Sequence, residues 1–168
     1  DKGIEELIKA FDSISNQHND VKLLLVGYFE KKLDPLSSGT EKTIENNPNI
    51  IFVGSRRDVR SFYAVADVLT FPSYREGFPN VVMESGAMGL PAIVTDINGC
   101  NEIIVNGKNG IIIPPKDTAA LLDKMNNLYK NRDELKELAQ NSRSMITSRY
   151  DRQFIWREIL KEYRSLEE

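Results

Sequence analysis

Short apolar runs at 22–26, 50–53, 68–71, 92–95 and 111–113 alternate with stretches of helical periodicity. Each run is too short for a stable helix and nearly continuous in Ile, Leu, Val or Ala. That is the mark of a strand buried on both faces of a parallel sheet. Gly27, Gly54, Pro72 and Pro114 close four of the runs, as chain-turning residues should. Between them 3–15, 41–47, 59–66 and 80–88 read as helices, with a helical turn at 102–105 and a loop at 35–39. Ile4, Leu7, Ile8, Phe11 and Ile14 give the first helix its apolar face, and Asp1 is its candidate cap. From 118 onward the pattern is helical and charged, over 118–129, 132–150 and 153–166. Strands alternating with helices imply an α/β domain, a doubly wound parallel sheet with a helical C-terminal tail.

Composition narrows the chemistry. A net charge of −3 with mixed signs offers no basic field for nucleic acid. The single cysteine, Cys100, excludes a disulfide framework and any multi-cysteine metal site. The single histidine, His18, sits in the polar stretch 15–20, away from any nucleophile pattern. No apolar run approaches the roughly 18 residues of a membrane helix. No G-x-G-x-x-G follows a strand and no P-loop is present, which disfavours a dinucleotide oxidoreductase and an NTPase.

In doubly wound sheets ligands gather beyond the carboxyl ends of the strands. Gly27, Gly54, Ser73 and Asp96 lie at those ends. The segment PSYREGFPNVVMESGAMG, from Pro72 to Gly89, is the richest. Glu76 falls in the loop after the third run, and Glu84, with seven residues between the two, lies one turn into the following helix. Gly77 and Pro79 shape the loop between them. Free N–H groups near Phe78, Asn80 and Val81 at a helix start suit a phosphate. A carboxylate such as Glu84 can accept from two neighbouring hydroxyls, as a ribose diol offers. Two solvated glutamates flanking a helix start are the plainer alternative.

The string FPSYREGFPNVVMESGAMGLPAIVTDINGCNEIIVNGKNGIIIPPKD, from Phe71 to Asp117, resembles the donor-binding half of retaining GT-B glycosyltransferases of family 4, the glycosyl transferases group 1 type. Glu76 and Glu84 match that family's paired glutamates after a Pro-Ser turn. DKGIEELIKAF, KLLLVG and IIFVGSRRDV resemble its first helix and next two strands, so the likeness covers nearly the whole chain. It implies a Rossmann-like half of a GT-B fold, with residues 1–168 forming one nucleotide-sugar donor-binding domain.

The resemblance also implies roles. Glu84 would hold the ribose of the nucleotide, Glu76 would contact the transferred sugar, and Lys2 would neutralise the leaving diphosphate. Backbone N–H groups around Gly77, Phe78, Asn80 and Val81 would hold sugar and phosphate oxygens, with Pro79 among the donor-binding residues as the one that shapes the loop. Residues 54–57, Gly54 and Arg56 or Arg57 among them, would line the base pocket, and Gly27 would let the backbone approach the nucleotide. Asn98, Gly99 and Glu102 resemble the loop near the donor phosphates, with Cys100 in place of that loop's usual second glycine. Cys100 has no histidine beside it and is not expected as a nucleophile.

The implied function is transfer of a hexose-type sugar from a nucleotide diphosphate, UDP rather than GDP or ADP, to an acceptor hydroxyl with retention. The setting would be polysaccharide or glycolipid synthesis in bacteria, such as capsule, without metal or other cofactor. The expected acceptor is a saccharide or lipid-linked saccharide. The acceptor site and a phosphate-binding arginine would lie in an N-terminal domain and strand outside residues 1–168. The expected location is cytoplasmic, at the inner face of the membrane through that domain. A nucleotide-sugar-binding module without activity of its own is the alternative. With the first central strand outside the chain, 22–26 and 68–71 should not pair. The apolar positions of 153–166 would pack either on the absent domain or on this one.

Overall fold

The computed structural model describes residues 1–30 and 34–166. Helix α1 (Ile4–Ser15) leads to strand β1 (Leu23–Val26), helix α2 (Ser38–Asn46) and strand β2 (Ile50–Gly54). Helix α3 (Arg60–Val65) precedes β3 (Leu69–Phe71), α4 (Asn80–Ala87) and β4 (Ala92–Thr95). Then come α5 (Cys100–Ile103), β5 (Gly110–Ile113) and the helices α6 (Thr118–Lys130), α7 (Arg132–Tyr150) and α8 (Arg152–Ser165).

The strands form two parallel sheets, one of β1 and β2, the other in the order β3-β4-β5. No ladder joins β1 to β3, as expected. The result is a Rossmann-like α/β arrangement of parallel strands and helices with a helical tail.

Strand β4 is the centre of the core because, among the described residues, it alone has a strand on both sides. All four of its residues are buried. Side chains alternate across the sheet, so Ile93 joins Leu7, Ala10, Leu121 and Leu138 on one face. Ala92 and Val94 join Val82, Ile103 and Ile146 on the other. Helix α7 thus serves both clusters, with Leu138 on one side and Ile146 on the other.

The pair β1–β2 departs from the expected burial on both faces. Ile51 and Phe52 are 45% and 44% exposed. Ile8, Phe11, Ile44 and Ile50 cluster around the pair, but part of β2 stays uncovered. Three local boundaries also shift. Helix α2 starts at Ser38, inside the expected loop, because Ser37 Oγ accepts from the Thr40 N–H at 3.2 Å. The turn expected at 102–105 is instead α5, which begins at Cys100 after a positive-φ Gly99. Asp1 does not cap α1: Gly3 holds that position with φ 69°, and the Asp1 carboxylate pairs with Arg75 at 2.8 Å.

Helix α8 buries no residue. Trp156 is 58% and Tyr163 65% exposed, so its apolar face does not pack on the rest of the described chain. No described helix is long and apolar enough to cross a membrane.

Candidate functional site

The site is assembled where the start of the chain meets the ends of β3 and β4. Gly3 presses against the turn after β3: a Cβ there would stand 2.0 Å from the Pro72 carbonyl oxygen. The Tyr74 N–H donates to the Asp1 carbonyl at 2.8 Å and fixes the approach. Lys2 is thereby delivered to Glu76, with Nζ 2.6 Å from Oε1. Ser73, fully buried, donates its hydroxyl to the same Oε1 at 2.7 Å. The Thr95 hydroxyl at the end of β4 donates to the Ser73 carbonyl and ties the two strand ends together.

The loop between Glu76 and α4 is shaped by backbone contact. The Gly77 carbonyl would lie 2.3 Å from a Cβ on Gly99, whose φ of 77° only glycine takes readily. The Gly99 N–H donates to Glu102 Oε1 at 3.2 Å. A Cβ on Gly77 itself would meet nothing within 4 Å, so the space beside it is open. Phe78, 40% exposed, stands edge-on to Tyr150 at 5.4 Å. Pro79 is the cap residue of α4 and its carbonyl accepts from the Val82 N–H at 3.1 Å. Asn80 and Val81 open the helix, where N–H groups lack helical acceptors and the dipole is positive.

Glu84 lies in the second turn of α4. Tyr63 of α3 brings its hydroxyl to 3.4 Å from Glu84 Oε2. Burial, then the Glu84 charge, push the Tyr63 phenol up to about 12, so it faces that carboxylate as a neutral donor. At the other sheet the Gly27 N–H donates to the Gly54 carbonyl at 3.1 Å, joining the exits of β1 and β2. Gly54 has φ 75°. Arg56 is exposed, with Nη1 on the Ser55 carbonyl at 3.0 Å. Arg57 is likewise exposed.

Cys100 is fully buried. Burial first, then the Glu76 charge, push its thiol up to about 11, the reverse of what a nucleophile needs. Among the described residues no three His, Cys, Asp or Glu side chains form a metal-binding group.

Sequence spacing thus led to Glu76, Glu84 and the loop between them, and the fold brings Lys2 to Glu76. It did not lead to Tyr63, Thr95 or any role for Ser73. Their partners are distant in sequence or, for Ser73, visible only once the turn is folded. The arrangement offers an ion pair, an open loop of backbone donors and a second carboxylate on the same helix–loop unit.

The chain matches the family described as "Glycosyl transferases group 1" over residues 1–145. It is 32% identical over 163 residues to a capsular polysaccharide biosynthesis glycosyltransferase, CapM, of Staphylococcus aureus, covering 97% of this chain and 43% of that protein. It is 29% identical over 162 residues to the N,N'-diacetylbacillosaminyl-diphospho-undecaprenol alpha-1,3-N-acetylgalactosaminyltransferase of Campylobacter jejuni, covering 96% and 41%. Among solved structures, Anabaena HepE in complex with UDP-glucose superposes with a TM-score of 0.84 at 23% identity, over 98% of this chain and 45% of that one. The chain therefore spans less than half the length of these relatives.

Proposed function

We propose that this chain, which belongs to the glycosyl transferases group 1 family, is the donor-binding domain of a retaining glycosyltransferase that uses a UDP-sugar. The observation that carries the reading is the Lys2–Glu76 pair at 2.6 Å beside the open start of α4. In this reading Lys2 is the cation for the diphosphate and Glu76 the carboxylate for the sugar. The UDP-glucose bound by HepE, which shares the fold, supports the choice of donor.

Glu84 accepts from the two ribose hydroxyls. Backbone N–H groups of Gly77, Phe78, Asn80 and Val81 hold sugar and phosphate oxygens, and Pro79 sets the angle at which α4 meets them. Gly27, Gly54 and Arg56 face the base; a guanidinium stacks well on a pyrimidine. Cleavage of the bond from the anomeric carbon to the phosphate oxygen puts negative charge on the diphosphate. The Lys2 ammonium stabilises that charge most in the transition state. The acceptor hydroxyl attacks from the face the diphosphate leaves. Its proton passes to the departing phosphate oxygen, so the products are the glycoside, with retained configuration, and UDP. No protein nucleophile, metal or other cofactor enters these steps.

The acceptor is held by a further domain, and residues 1–168 alone do not transfer the sugar. The names of the relatives favour surface-polysaccharide synthesis, and the undecaprenol in one of them a lipid-linked acceptor. Such an acceptor would place the protein in the cytoplasm at the inner membrane face.

Calorimetric titration of the full-length protein carrying these residues with UDP- and GDP-hexoses tests the reading. A UDP-hexose should bind, and Glu84→Ala should weaken it about 10- to 100-fold, the worth of hydrogen bonds to a charged acceptor. Failure of every nucleotide sugar to bind overturns it.

A further inference from the structure

We propose that Ser73 is a positioning residue that holds the Glu76 carboxylate in place when Lys2 turns from Glu76 to the diphosphate of the donor. The inference rests on the roles proposed above for Glu76 and Lys2.

Glu76 Oε1 receives two donors, Lys2 Nζ at 2.6 Å and Ser73 Oγ at 2.7 Å. Among the described residues Oε2 accepts no hydrogen bond and stays available to a sugar hydroxyl. The two donors differ in kind. Lys2 is 58% exposed on a flexible four-carbon stem, whereas the Glu76 side chain is only 14% exposed. Ser73 is fully buried, has one side-chain torsion, and has its carbonyl fixed by Thr95.

The Ser73 hydroxyl carries one proton and has three acceptors within reach. They are Glu76 Oε1 at 2.7 Å, the Asp1 carbonyl at 3.1 Å and the Arg75 carbonyl at 3.5 Å. The nearest is also the only charged one, and a charged acceptor forms the stronger bond.

A diphosphate carries more negative charge than a carboxylate and draws the mobile ammonium toward it. Glu76 then keeps one direct bond, from Ser73. Without that bond a carboxylate almost enclosed by protein would be unheld, and Oε2 would no longer be presented in one orientation. UDP alone needs Lys2 but not Glu76; a UDP-hexose needs both. Loss of the Ser73 hydroxyl should therefore act on the sugar and spare the nucleotide, which a general weakening of the fold would not do.

The test is calorimetry on the full-length protein carrying these residues, with UDP and with UDP-glucose, UDP-galactose and their N-acetylamino counterparts as probes. Ser73→Ala should weaken the UDP-hexose bound most tightly by wild type about tenfold or more, while UDP changes less than about twofold. Ser73→Thr, which keeps the hydroxyl, should restore most of the loss. In a Glu76→Ala background Ser73→Ala should add no further loss on the hexose. Equal losses on UDP and UDP-hexose, no loss on either, or an additive loss in the Glu76→Ala background overturns the inference and leaves the donor-binding reading standing. A wild-type protein that binds no uridine nucleotide overturns that reading itself, and this inference with it.

Discussion

The carbonyl oxygen of Gly77 occupies the space that a side chain at Gly99 would need, 2.3 Å from an ideal Cβ. The loop after β3 and the loop after β4 are thus in backbone contact, and the glycine at 99 is what permits it. Gly99→Ala must part the loops and also force φ 77° on a residue with a Cβ. It should cost about 2–5 kcal/mol in urea unfolding and lower donor affinity as well. Gly77→Ala is the contrast. Its Cβ meets nothing within 4 Å, so stability should hold within about 0.5 kcal/mol while UDP-hexose affinity falls. Wild-type stability in Gly99→Ala would contradict this account of the loop contact.

Helices α4 and α7 meet through Gly86, where a Cβ would lie 2.6 Å from Ile146 Cγ1. Ile146 is 4% exposed and has little room to yield. Gly86→Ala should destabilise by about 1–3 kcal/mol although alanine is the better helix former. In an Ile146→Ala background the clash is gone, and Gly86→Ala should become neutral or stabilising. Chemical denaturation of the four proteins in this cycle decides the matter; two additive losses would mean the helices do not cross at this pair.

The pH dependence at the alkaline end follows from Cys100. Its thiol is held up from 9.0 to about 11 in the fold, so between those values the native state keeps a proton that the unfolded chain has lost. Stability from this group is complete below pH 9 and lost as pH rises through 11. Cys100→Ala should flatten the fall that begins at pH 9 in denaturant titrations. A remaining fall should start near pH 10, from Tyr63, whose phenol is held up to about 12, and from Tyr74, which is raised further. A thiol reagent should label Cys100 rapidly in urea and hardly at all in the folded protein near neutral pH. Fast labelling of the folded protein would show that the thiol is not enclosed.

Glu84→Gln keeps the size of the side chain and removes its charge. UDP affinity should drop about tenfold, the difference between a charged and a neutral acceptor. With 2′,3′-dideoxy-UDP, which lacks the ribose hydroxyls, wild type and variant should bind alike. A loss of the same size on both nucleotides would place Glu84 away from the ribose.

Much of this protein was legible in its residues. Apolar runs of strand length separated by helical periodicity fixed the order of elements, because both patterns report local geometry and two-sided burial. The seven residues between Glu76 and Glu84, with a proline and glycine in the turn, put one carboxylate in a loop and the other on the helix it opens. The same local reasoning missed Asp1, whose carboxylate reaches Arg75 rather than capping α1, because a cap competes with distant charges that no local pattern contains. It also overstated β2, where Ile51 and Phe52 keep a strand's composition but lack full cover.

What the sequence by itself determined was therefore the type of each element and the pair of glutamates. Only the tertiary structure decided which groups meet them. Lys2 reaches Glu76 across 74 positions, Tyr63 reaches Glu84 across 21, and Thr95 reaches Ser73 across 22. The reason is physical. Periodicity and turn preference are sterics between near neighbours in the chain. The meetings depend on the parallel register that ends β3 and β4 together, and on Gly3 and Gly99, whose missing side chains let separate backbones touch.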